Sequence, residues 1–151
     1  MTALSSTTTP AEAFGAALAL LKDHVKPERA MIFYGRDESD RLKPQIADGF
    51  ALEEVYTTAP ISLGIIEEVL AEGEAKIVLD AVEDPQFGER ISTLVTGIRS
   101  VLCCPMLSSS GHAVGLLYAD SRDRPNHFKS SDVKWITELS NALSKHLEHL
   151  A

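Results

Sequence analysis

The side chains with most chemistry to offer are two adjacent cysteines, Cys103 and Cys104, and two histidines, His146 and His149. Vicinal thiols suggest redox work. Neighbouring Cα atoms across a trans peptide lie about 3.8 Å apart, however, shorter than the usual disulfide separation, so a bond between the two would be strained. They fall inside an apolar run and are expected to be reduced, buried thiols acting as small hydrophobes. His146 and His149 are near enough on one helix to share a face, but two exposed histidines at a helix end seldom make a metal site. His24, His112 and His127 are isolated in the chain. No Ser/His/Asp arrangement, phosphate-cradling glycine loop or carboxylate pair at catalytic spacing stands out, so the expectation is a protein that is not an enzyme and holds no metal.

Composition narrows the partners. The chain has 151 residues, 44% hydrophobic and 24% charged, the balance of an ordinary globular protein. That length suits one domain burying roughly 70% of its unfolded surface. Asp and Glu number 22 against 14 Lys and Arg, a formal charge of −8, and the basic residues are not clustered. Nucleic acid and anionic membranes both call for a positive footprint and are therefore not expected as partners. No run of about 18 apolar residues exists, and Met1 to Pro10 lacks the basic start and apolar core of a signal peptide, so the cytoplasm is the expected compartment.

The elements that must position these groups are organised around Arg99 to Asp120, reading RSVLCCPMLSSSGHAVGLLYAD. Two apolar runs, Ser100 to Leu107 and Ala113 to Tyr118, flank Ser108-Ser109-Ser110-Gly111 and predict a β-hairpin. Both runs are apolar at successive positions, so both faces of this central pair should be covered, with helices on at least one side. Gly115, mid-strand, implies close approach of another backbone or a ligand.

Upstream, Met1 to Thr9 reads as frayed or as a cloning boundary, leaving residues 11–151 as a single domain. A helix runs from Pro10 on the stripe Phe14, Leu18, Leu21 and Val25 until Pro27 ends it. Arg29 to Gly35 and Leu42 to Ala47 are strands about an acidic turn. Ser62 can cap a helix from Leu63 to Glu72, and Ala75 to Leu79 is a short strand. Ala81 to Thr96, with Asp84-Pro85 and Gly88, reads as a loop with one short helix. Downstream, a long helix capped by Ser130 or Ser131 carries Ile136, Leu139, Leu143, Leu147 and Leu150 in a narrow stripe.

The string Arg99 to Met106, the glycine turn, Val114 to Asp120, and Phe128 followed after three residues by Asp132 resemble the C-terminal half of a GAF domain of the bacterial signalling type. Ser62 to Glu72, Lys76 to Asp80 and Asp84-Pro85-Gln86-Phe87 are similar to its upstream half. The resemblance implies an α+β fold of the profilin- and PAS-like kind. It has a central antiparallel sheet of five to six strands, with terminal helices on one face and loops and short helices on the other. It also implies a regulatory module that precedes an output domain in a longer chain and holds a small molecule between sheet and loops.

From that layout the candidate ligand-binding residues are Asp48, Ile65, Ile66, Phe87, Ile91, Ser92, Tyr118 and Asp120. Tyr118 and Asp120 lead, because they share a strand face beside Gly115 and offer a hydroxyl and a carboxylate. Cyclic-nucleotide binders of the family carry Asn-Lys after the last strand and Phe-x3-Asp-Glu at the final helix. Here Ser121-Arg122 and Phe128-x3-Asp132-Val133 keep only Phe128 and Asp132, which argues against a cyclic nucleotide. No cysteine stands where bilin-attaching relatives need one. Free methionine-R-sulfoxide reductases of this fold use cysteines spread over separate loops, unlike this vicinal pair. The ligand and any cofactor stay unnamed. The near-heptad stripe of the last helix predicts a homodimer through the terminal helices, competing with simple core packing. A ligand-free dimerisation module is the alternative reading.

Overall fold

The computed structural model describes residues 2–49, 51–54, 63–78, 100–122 and 127–151. The central prediction holds: Ser100–Leu107 (β4) and Ala113–Ser121 (β5) pair antiparallel and are buried nearly throughout. The turn between them closes with the Ser108 N–H donating to the His112 carbonyl, and Gly111 adopts a left-handed φ of 88°. Arg29–Arg36 (β1), Leu42–Asp48 (β2) and Lys76–Val78 (β3) complete a five-stranded antiparallel sheet in the order β2-β1-β5-β4-β3. Pro44 lies in the edge strand β2, where a missing ladder donor costs least.

Side-chain alternation divides this sheet into two interiors. Ala30, Ile32, Leu102, Cys104, Met106, Leu117 and Ala119 face one way, under Pro10–Val25 (α2) and Ser130–Leu150, called α4 below. Met31, Phe33, Val101, Cys103, Leu116 and Tyr118 face the other way, under Ile65, Ile66 and Val69 of Leu63–Glu72 (α3). Cys103 and Cys104 are therefore free thiols on opposite sides of the sheet. Burial pushes both thiols up, Cys104 to about 11.

Where β1 meets β5, Tyr34 pairs with Gly115, and a Cβ at Gly115 would collide with the Phe33 carbonyl oxygen. The close approach implied for this glycine is thus another backbone. Buried serines fasten α4 to the sheet: Ser140 Oγ donates to the Pro105 carbonyl at 2.8 Å and Ser144 Oγ to that of Leu107 at 2.7 Å. Phe128 is buried in the same interior as α2 and α4, a core anchor.

Two local expectations are corrected. Thr2–Ser5 is a short helix (α1) rather than frayed chain, because Leu4, 1% exposed, drops into the α2/α4 interior and the His146 ring hydrogen-bonds the Thr7 carbonyl at 3.0 Å. The cap of α4 is Lys129, not Ser130 or Ser131; its backbone N–H donates to the Asp132 carboxylate at 2.9 Å. The stripe of α4 is consumed by this chain's own sheet: Ile136, Leu139, Leu143 and Leu147 are all buried.

Gly115→Ala is expected to lower stability by about 1–3 kcal/mol through overpacking against rigid backbone. Gly15→Ala, mid-α2 with nothing within 4 Å of the new methyl, should raise it by up to about 1 kcal/mol. Urea midpoints of the two variants should move in opposite directions with slopes unchanged.

Candidate functional site

The buried part of the α3 face of the sheet is apolar except at one end; towards the β3 edge, Lys76 meets Glu68 and Glu72 of α3. Arg29 opens β1 and Asp120 lies opposite it near the end of β5; Met31 and Tyr118 form the next pair on the same face. Strand alternation therefore brings a guanidinium, a carboxylate and a phenol together under protein. Arg29 Nε donates to Asp120 Oδ1 at 2.8 Å and Nη2 to Oδ2 at 2.6 Å, the bidentate geometry that suits this pair. Tyr118 Oη donates to the same Oδ2 at 2.6 Å. The Arg29 side chain is 2% exposed, and Asp120 and Tyr118 are 0% exposed.

Such depth is costly for a carboxylate. Burial pushes the Asp120 carboxyl above the ordinary aspartate range, and the Arg29 guanidinium and Tyr118 hydroxyl pull it back only in part. Glu28, the next residue along the chain from Arg29, adds repulsion. Glu28 is itself held below the usual glutamate range by hydrogen bonds from Arg122, whose guanidinium reaches it at 2.7 Å. Gly49, with φ of 87°, runs so close over the Arg29 stem that a Cβ there would stand 2.8 Å from Arg29 Cγ. A side chain at position 49 would dislodge the arginine.

The sequence-derived candidates divide on this map. Tyr118 and Asp120 come together as expected, with the hydroxyl tied to the carboxylate. Ile65 is buried in the interior that contains Tyr118. Ile66 belongs to the same interior and also helps floor a cleft of about 380 Å³ between the β1–β2 hairpin and α3, with Phe33, Leu42 and Leu70. Phe33 is four residues from Arg29 along β1, about 13 Å, so this opening is separate from the charged network. Asp48 is not part of either: it pairs with Lys22 of α2 at 3.3 Å with its side chain 45% exposed, on the terminal-helix side of the sheet. Phe87, Ile91 and Ser92 lie outside the described residues. Arg29 is the member that sequence reading misses. Its signal is its parity: it shares a face with Met31 and Phe33, and a charge there must find a counter-charge.

Among the described residues, no group of three or more His, Cys, Asp or Glu side chains could hold a metal ion, and no helix is long and apolar enough to cross a membrane.

An antiparallel sheet backed on one face by the chain's first and last long helices, with a polar network on the other, defines a class of small α+β domains. The chain belongs to the GAF domain family, whose profile matches residues 9–147. Among solved structures, the GAF domain of a phosphoenolpyruvate-protein phosphotransferase from Acinetobacter is similar at TM-score 0.76 and 18% identity over 98% of this chain and 87% of that one. Free methionine-R-sulfoxide reductase from Neisseria meningitidis, in complex with its substrate, is similar at 0.75 and 23%, over 97% and 83%. A methyl-accepting chemotaxis protein is similar at 0.70 and 17%, over 99% and 94%. No curated protein matches the chain.

Asp120→Ala removes both acceptor oxygens from the Arg29 guanidinium and the Tyr118 hydroxyl and leaves a cavity, so it should cost about 3–5 kcal/mol. Because the native carboxyl keeps its proton to higher pH than in the unfolded chain, its contribution is fully present at low pH and lost as pH rises through the raised value. The stability difference between wild type and Asp120→Ala should accordingly grow as pH falls from about 7 towards about 4, read from urea midpoints at each pH.

Proposed function

We propose that the chain is a regulatory ligand-binding module of a bacterial signalling protein. A small molecule settles on the α3 face of the sheet over Arg29, Asp120 and Tyr118, and the terminal helices pass its occupancy to an output domain. The observation that carries this reading is the ionic network buried among the apolar side chains of that face. Apolar residues of similar volume would commonly be as stable there or more so, and buried ion pairs that perturb a carboxyl's proton affinity are found at functional sites. The fold shared with a chemotaxis protein and a phosphotransferase supports a place in signalling.

The module is not an enzyme on this reading. Thiol chemistry proceeds through an accessible thiolate, whereas both thiols here are buried with raised proton affinity and face opposite ways. The protein is cytoplasmic, and it assembles as a homodimer through its terminal helices.

The second reading, a dimerisation module with no ligand, is favoured by one observation, the complete burial of Tyr118 and Asp120. A melting screen against a metabolite library, with native mass spectrometry of the hits, separates the two. A ligand at a hundredfold excess over its Kd should raise Tm by about 5–10 °C, and Tyr118→Phe, which keeps the fold, should reduce that rise. A library without any hit favours dimerisation alone. Cys103→Ser and Cys104→Ser should leave free methionine sulfoxide turnover at the level of the wild type; a loss in either variant would mean catalysis.

A further inference from the structure

The cleft between the β1–β2 hairpin and α3 carries an inference of its own, independent of the buried network. Its floor is apolar, from Phe33, Leu42, Ile66 and Leu70. Its mouth holds charges of both signs: Arg36 from the end of β1, Asp40 from the turn and Glu67 from the first turns of α3. Arg41, also at the mouth, is engaged with Asp37 at 3.3 Å.

Among the described residues the other three charges have no ion-pair partner. Arg36 is held in place by donating to two backbone carbonyls, those of Asp40 and Ala113, both at 3.2 Å. Among the described residues no carboxylate lies within ion-pair distance of Arg36, and no cation lies within that distance of Asp40 or Glu67. The turn that presents Asp40 is closed by its own hydrogen bonds. Asp37 Oδ1 accepts from the Ser39 N–H at 2.8 Å and the Arg41 N–H at 3.0 Å, and Asp40 is fixed at a left-handed φ of 61°. A simple anion would meet two acids for one arginine, and a simple cation would leave the arginine unanswered. A zwitterion answers the arginine and the acids together, and an apolar tail answers the floor.

We infer that this cleft binds a small zwitterion with an apolar tail: carboxylate towards Arg36, ammonium towards Asp40 and Glu67, and tail on Phe33, Leu42, Ile66 and Leu70. The volume of about 380 Å³ accommodates such a molecule. Arginine's planar fork suits the carboxylate.

The test is an amide chemical-shift titration of the full isotope-labelled chain with four probes: leucine, glycine, isocaproate and isoamylamine. Leucine should shift the amides of Phe33, Arg36, Ile66 and Leu70 saturably. Glycine, without a tail, should not; isocaproate lacks the ammonium and isoamylamine the carboxylate, and each should bind about tenfold more weakly. Arg36→Gln and Glu67→Gln alter exposed residues and should preserve the unliganded spectrum while weakening leucine about tenfold. Lys134→Gln on α4 should change nothing. Absence of saturable shifts at millimolar leucine overturns the inference, as does isocaproate binding as well as leucine. Shifts confined to Tyr118 and Asp120 would overturn it too, while supporting the function proposed above; failure of the metabolite screen at those residues leaves this cleft to be judged on its own titration.

Discussion

Everything in this domain depends on β4 and β5 being covered on both faces. A strand exposes alternate residues to opposite sides, so a pair buried on both must be apolar at both parities and needs two separate covers. The terminal helices supply one and α3 the other. The order β2-β1-β5-β4-β3 follows from the same demand, since it places both members of the buried pair in the interior of the sheet. It also presses β1 against Gly115 so closely that no side chain fits.

Against that background an arginine and an aspartate beneath α3 are an exception, since moving two charges out of water is expensive even when they meet. The bidentate contact and the tyrosine hydroxyl give the carboxylate three hydrogen bonds, yet burial still dominates its proton affinity. A second pair, Glu28 and Arg122, lies beside the first in the sequence but at the surface, where solvent screens it. The two pairs have opposite characters because Arg29 lies on the covered α3 face of β1, whereas Glu28 stands in the bend before the strand and is partly exposed.

What was legible in the sequence was what local pattern controls. The central hairpin, both ends of α3 and the division into two covered faces rest on apolar period, glycine and proline, all carried by neighbouring residues. What escaped rests on distant partners. Leu4 looks like part of a polar tail until α2 and α4 provide an interior for it. Lys129 is no natural cap, but Asp132 reaches back to its N–H. Arg29 reads as a polar strand start, and only Asp120, 91 residues on, makes it a buried ion. Asp48 follows its strand at the expected place, yet its parity turns it to α2. The stripe on α4 suggested a partner chain because periodicity reveals a face that must be covered without saying by what.

The end of the sheet that holds Arg29 and Asp120 is also where the two long helices are joined. Glu28 N–H donates to the Asp120 carbonyl at 3.1 Å, two residues beyond the turn that ends α2. From the other side His127, just ahead of α4, bonds the Val25 and Lys26 carbonyls at 3.1 and 2.7 Å; two carbonyls can only accept, so Nε2 carries the proton. His24 stacks on Trp135 of α4 with ring centroids 4.0 Å apart. The exit of α2, the end of β5 and the entry of α4 are thus one bonded unit, anchored on the residue pair that a ligand of the proposed kind would touch. A ligand shifts an equilibrium only through different affinities for its two states. On the function proposed above, the two states would be those in which Asp120 keeps or releases Arg29, and the helices' junction is fastened to both residues' own strands.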